Sequence, residues 1–167
     1  MEESPLEVAV KWLEGIADGR IEGREFEAQS IRGLKILQAQ SGFFRLGFVV
    51  HDDVLDENGN WHPGAIATLI DDVGASVVFS LGPIKASVEL GVSFISTAQI
   101  NEEVEIEARV VGEKGKIASA LVEIRRKATD ELIALGKLWM ASNIITRKAG
   151  LAQAQALSQF QSQASKL

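Results

Sequence analysis

Between Pro63 and about Leu81 the chain is apolar all the way round a helical axis. Ala65, Ile66, Ala67, Leu69, Ile70, Val73, Ala75, Val77, Val78 and Phe79 leave no polar face, and a helix of that kind has to be buried. Other elements of the chain must therefore close around it. Two carboxylates, Asp71 and Asp72, stand in its middle. Apolar helices seldom hold a central carboxylate unless it is paired or functional. Adjacent positions differ by about 100° around the axis, so the two cannot share one environment. Asp71 is read as the functional group and Asp72 as structural or supporting.

The helix opens at His62-Pro63-Gly64, after the polar turn Asn58-Gly59-Asn60. Proline suits the first helical position. The first turn offers unpaired N–H groups to a developing negative charge. An anion-binding helix start and a carboxylate base are parts of a hydrolytic site. His62 is either an acid or substrate donor, or a residue that caps the helix start; the sequence leaves both open.

Strands account for most of the rest. Leu34 to Gln40 and Phe43 to His51 flank a turn at Ser41-Gly42. After the helix, Ile84, Ala86, Val88, Leu90, Val92 and Phe94 alternate with Lys85, Ser87, Glu89, Gly91 and Ser93. Val104, Ile106, Ala108 and Val110 alternate with Glu105, Glu107 and Arg109. Such patterns put one face on a core. Ile117 to Arg126 and Glu131 to Ile145 are two further strands, joined at Ala128-Thr129-Asp130. The four strands after the helix are expected to form a meander. Ser4-Pro5-Leu6-Glu7 starts an N-terminal helix with a capping box. Ile21 to Ser30 is ambiguous, with a short helix as one reading. The expected class is α+β, an antiparallel sheet wrapped around one long buried helix, with an extra N-terminal helix. Residues 1–33 form the extension, 34–145 the main domain and 146–167 a tail rich in Ala, Gln and Ser.

Composition narrows the chemistry. A net charge of −6 argues against nucleic acid as a partner. There is no cysteine, which excludes disulfides, thiol catalysis and thiolate metal sites. With two histidines, His51 and His62, a metal site is not expected. No apolar run reaches the roughly 18 residues of a membrane span, and Met-Glu-Glu-Ser is unlike a signal peptide. Trp12, Trp61 and Trp139 are read as packing residues.

The order of elements and the segment His62-Pro63-Gly64-x-x-Ala67-Thr68-Leu69-x-Asp71 resemble hotdog-fold acyl-CoA thioesterases of the PaaI type, over roughly Leu34 to Asn143. The resemblance implies a hotdog fold and hydrolysis of an acyl-CoA to free acid and CoA, without cofactor or metal. It places the oxyanion at the start of the central helix and makes Asp71 the general base or nucleophile. Ser87 would orient water. Lys114-Gly115-Lys116 match the hairpin that holds CoA, and Phe94 matches a tyrosine near the nucleotide. The resemblance also implies a homodimer or homotetramer. Two residues depart from the family. Pro63 stands where the family has a glycine whose amide polarises the thioester carbonyl, and proline has no N–H; Gly64 carries the next amide. Asp56 stands where the family has asparagine.

Plainer readings stand beside these: Ser87 as a solvent-facing strand residue, Lys114 and Lys116 as an ordinary surface hairpin. Two other functions remain open, a hotdog hydratase or dehydratase using His62, and an acyl-CoA-binding protein without turnover. Ser165-Lys166-Leu167 is a peroxisomal address, so a peroxisomal location and an import receptor as partner are expected.

Overall fold

The computed structural model describes residues 3–142. The address at Ser165-Lys166-Leu167 and the last residues of the strand expected to reach Ile145 lie outside them. Helix α1 spans Pro5–Ala17 and α2 spans Glu25–Ile31. Strands β1 (Lys35–Gln40) and β2 (Phe43–Val49) follow, then a short 3-10 turn at Asp52–Val54 and the central helix α3, Pro63–Phe79. Strands β3 (Ala86–Phe94), β4 (Glu103–Lys114), β5 (Ile117–Arg126) and β6 (Leu132–Ala141) complete the order.

The capping box of α1 forms as its sequence dictates. The Ser4 hydroxyl accepts from the Glu7 N–H at 3.3 Å, and the Ser4 N–H donates to the Glu7 carboxylate at 2.8 Å. The Ser4 N–H and the Ser4 hydroxyl, both donating to the Glu7 carboxylate, hold that carboxyl below its ordinary pKa. The ambiguous stretch before Ser30 resolves into α2 over its second half.

All six strands form one antiparallel sheet in the order β1-β2-β4-β5-β6-β3. The expected four-strand meander is therefore corrected. β4, β5 and β6 are a meander, but β3 crosses over to pair with β6 at the far edge. The chain from Ile95 to Glu102 carries that crossover. It is pinned on the way, because the Trp61 N–H donates to Ala98 O at 2.7 Å and Asn60 bridges Gln99.

The sheet curls round α3, whose Ile66, Leu69, Ile70, Val73, Val77 and Val78 are buried. Close approach fixes its seat. A Cβ on Gly136 of β6 would lie 2.2 Å from Ile70 Cγ2, and one on Gly74 of α3 would lie 2.6 Å from Leu138 Cδ1. Phe48 stacks on Trp61 at 5.1 Å, and α1 and α2 cover the side of α3 that the sheet leaves open. Trp12 and Trp61 are packing residues as expected, but Trp139 is not buried; Lys137 lies over its ring on the outer sheet face.

β3 also departs from its pattern. The alternation from Ile84 to Phe94 promised one buried face, yet Val88, Leu90 and Phe94 are all exposed. The reason is position: β3 is an edge strand whose outer side has no neighbour among the described residues. For Val88 there is a second reason, an irregularity between Ser87 and Glu89. Ser87 lies opposite the buried Met140 and Leu90 opposite the buried Leu138, so both face the helix, while Glu89 faces outward opposite Trp139. Val88 is the extra residue of a β-bulge, which switches the parity of the strand.

Candidate functional site

The bulge decides what Ser87 can reach. On a regular strand it would share the outward face of Glu89. With Val88 inserted it turns toward α3, and its hydroxyl donates to Asp71 Oδ1 at 2.6 Å. That pair is the one contact the structure makes between expected site residues on different elements. It lies on the partly open side of the helix, with Asp71 half-buried and Ser87 exposed.

Asp72 has the opposite surroundings. It points toward α2, where Arg24 and Glu27 form an ion pair at 2.7 Å. Its Oδ2 is buried with no hydrogen-bond partner. Burial, with the charges of Glu27 and Asp71 nearby, pushes its pKa up to about 8. A value near neutrality suits a general base, but access decides otherwise. Asp72 is walled in by α2, whereas Asp71 meets a hydroxyl on the open side.

The helix start is arranged around Pro63. His62 is the N-cap residue, and its Nδ1 accepts from the Gly64 N–H at 2.9 Å. The cap reading of His62 is thus realised, and the Gly64 amide expected to bind an oxyanion is engaged. The Ile66 N–H already donates to His62 O. The Ala65 N–H is left with no acceptor among the described residues. Asp56 is a turn residue, its carboxylate accepting from the Asn58 and Asn60 N–H groups at 2.8 and 3.0 Å.

The remaining candidates stand apart. Lys114, Gly115 and Lys116 form the exposed β4–β5 turn, where Gly115 has a φ of +61° that favours glycine. Lys116 O accepts from the Ser142 N–H beside the start of β3. Phe94 is at the other end of β3, 49% exposed and roughly 20 Å from Ser87 along the strand. Gly64 and Asp71 are about 10 Å apart along α3. Within one chain the structure does not bring Phe94, Gly64 or the lysine turn onto the Asp71–Ser87 pair.

One further cluster, His51, Asp52 and Asp53, has its donor atoms within 4.8 Å of one another. The Arg32 guanidinium lies against it, 2.5 Å from Asp53 and 3.5 Å from His51 Nδ1. A cationic side chain already neutralises this group.

Comparison with known proteins fits this geometry. Residues 58–133 match the model of the thioesterase superfamily. Acyl-coenzyme A thioesterase 13 of Mus musculus is 30% identical over 90 residues, which are 53% of this chain and 64% of that protein, so the match spans a little under two thirds of that relative. The crystal structure of zebra fish thioesterase superfamily member 2 superposes with a TM-score of 0.73 at 21% identity, covering 85% of this chain and 100% of that one. The PaaI protein of the E. coli phenylacetic acid degradation operon superposes with a TM-score of 0.67 at 17% identity, covering 80% and 92%. The segment from Asn58 to Ile133 is thus similar to the thioesterase superfamily, and the buried helix with the sheet closed round it is the hotdog fold of the thioesterase structures on which the chain superposes.

Proposed function

We propose that the protein is an acyl-CoA thioesterase with Asp71 as its general base. The observation that carries this is the Ser87 hydroxyl on Asp71, a carboxylate–hydroxyl pair on the open side of an otherwise apolar helix. Water adds to the thioester carbon while Asp71 takes its proton. The carbonyl oxygen becomes an oxyanion, then re-forms the carbonyl as the C–S bond breaks. The departing sulfur takes a proton, leaving free acid and CoA. Ser87 holds Asp71 in place and orients the water. The name of the mouse relative supports the substrate class.

The oxyanion belongs at the start of α3. Pro63 offers no N–H and the Gly64 amide donates to His62 Nδ1, so the Ala65 amide is the donor available. Each donor and the base must lie about 3 Å from the reacting group. One helix cannot present both to one carbonyl across about 10 Å. Two copies can. β3 is a long, exposed, apolar edge, a form that soluble proteins cover. Antiparallel pairing of β3 with its own copy brings the helix-start end of one chain toward the Asp71–Ser87 end of the other. A homodimer is the smallest active unit, and two dimers make the tetramer. CoA then runs toward the Lys114–Lys116 turn, with Phe94 of the second copy near the nucleotide. The hydratase reading needs His62 as an acid or base; its Nδ1 caps the helix, which leaves Nε2 for that role.

The test is release of free CoA from a panel of aliphatic and aromatic acyl-CoAs by the purified full chain. Release above the spontaneous rate is expected from at least one. Acyl-CoA bound and recovered unchanged across the panel would sink the reading in favour of a binding protein.

A further inference from the structure

Lys85 is the one buried lysine among the described residues, its side chain 3% exposed. Its Nζ donates to Glu113 Oε1 at 2.7 Å. Burying an ammonium is costly unless it is paired, so the pair ties Lys85, just before β3, to the end of β4. Both residues reach that place against the simple alternation of their strands. In β4 an irregularity between Val110 and Gly112 makes Val111 the extra residue. Gly112 then lies opposite Ser119 and Glu113 opposite the buried Ala118, on the face toward the helix. Without that bulge Glu113 would face outward. Lys85 precedes Ser87 by two residues and so shares its inward face.

The start of β3 therefore has two ways to run. In the bulged form Lys85 and Ser87 point inward. In a regular form they point outward with Glu89, because a shift of one residue turns every side chain to the other face. β3 is an edge strand, and Ala86, Ser87 and Val88 are exposed, so packing does little to choose between the forms. We propose that Lys85 is a positioning residue for the Asp71–Ser87 pair. Its ion pair with Glu113 holds the bulged form and keeps the Ser87 hydroxyl on Asp71.

The inference rests on the thioesterase reading for its effect on rate, but not for its effect on the strand. Glu113→Ala leaves a buried ammonium unpaired, and Lys85 then leaves for solvent. The expected result is a loss of about tenfold to a hundredfold in kcat with KM little changed, the scale of a displaced catalytic group. In the Ser87→Ala background the same change has no further effect on kcat. Lys85→Met combined with Glu113→Ala restores an inward side chain without charge, so kcat returns. Amide exchange across Ala86 to Glu89 quickens in Glu113→Ala and slows again in the double variant, while β4–β5 amides stay protected. A kcat loss that adds in full to that of Ser87→Ala, or unaltered exchange at the start of β3, overturns the inference. If the native protein releases no CoA from any thioester, the functional reading fails, and exchange alone decides the role of Lys85.

Discussion

Asp71→Asn will lower kcat for the best acyl-CoA by a factor of about 10²–10⁴, the usual contribution of a positioned base, with the fold intact. Asparagine keeps the shape and still accepts from the Ser87 hydroxyl at the position of Oδ1, but it takes no proton from water. Asp72→Asn will retain most of the rate, although Asp72 is the carboxyl with the shifted pKa. The contrast separates the two criteria that disagree here. Proton affinity near neutrality favours Asp72, and access to a substrate favours Asp71. Steady-state kinetics on both variants measures the difference; an inactive Asp72→Asn beside an active Asp71→Asn would reverse the assignment.

Asp72→Asn will make the protein more stable at pH 7, and the gain will depend on pH with a definite sign. Folding raises the Asp72 pKa from 3.8 to about 8. Between those values the folded state holds a proton that the unfolded state has lost, so stability falls as pH rises through the window. The favourable state is fully present below about pH 4 and used up above about pH 8. At pH 7 the loss is on the order of 4 kcal/mol. Asparagine resembles the protonated carboxyl and carries no such dependence. Urea midpoints should place Asp72→Asn well above the native protein at pH 7 and close to it at pH 4. A variant less stable at pH 7 would mean that Asp72 is ionised and paired with Arg24, against the unpaired Oδ2 in the structure.

The parts of the fold that were legible are those whose signals are local. The apolar wheel from Pro63 onward dictated a buried helix, and Ser4 with Glu7 dictated the α1 start. Strand patterning gave β5 with its observed limits and β6 from one residue early, but followed β4 only to Val110, where the strand runs on to Lys114. What alternation does not reveal is which neighbour a strand takes, so β3 was placed beside β4 when it pairs with β6. Nor does it reveal whether an apolar face is covered, and Val88 and Leu90 are open. The two bulges were hidden for the same reason. One extra residue shifts the parity of everything beyond it, and it was Val88 that turned Ser87 inward and Val111 that turned Glu113 inward. Ser87 entered the site through the family resemblance alone. Lys85 looked like any outward polar residue, and its pairing depends on a contact 28 residues away. At the helix start, sequence supplied His62 as either cap or acid, and only geometry committed its Nδ1 to Gly64.

The central claim is a thioester-hydrolysing site shared by two copies, with Asp71 from one and the helix start from the other. Subunit complementation tests it most directly. Asp71→Asn removes the base, and Ala65→Pro removes the free first-turn amide, which makes no intrahelical bond. Each variant alone should be nearly inactive. Unfolded and refolded together in equal amounts, half of the dimers are mixed, and each mixed dimer holds one intact and one doubly damaged site. Recovery of about a quarter of native CoA release is the expected result for random pairing in a symmetric dimer. No recovery from verified mixed dimers, or full activity in a monomer at assay concentration, would contradict the shared site.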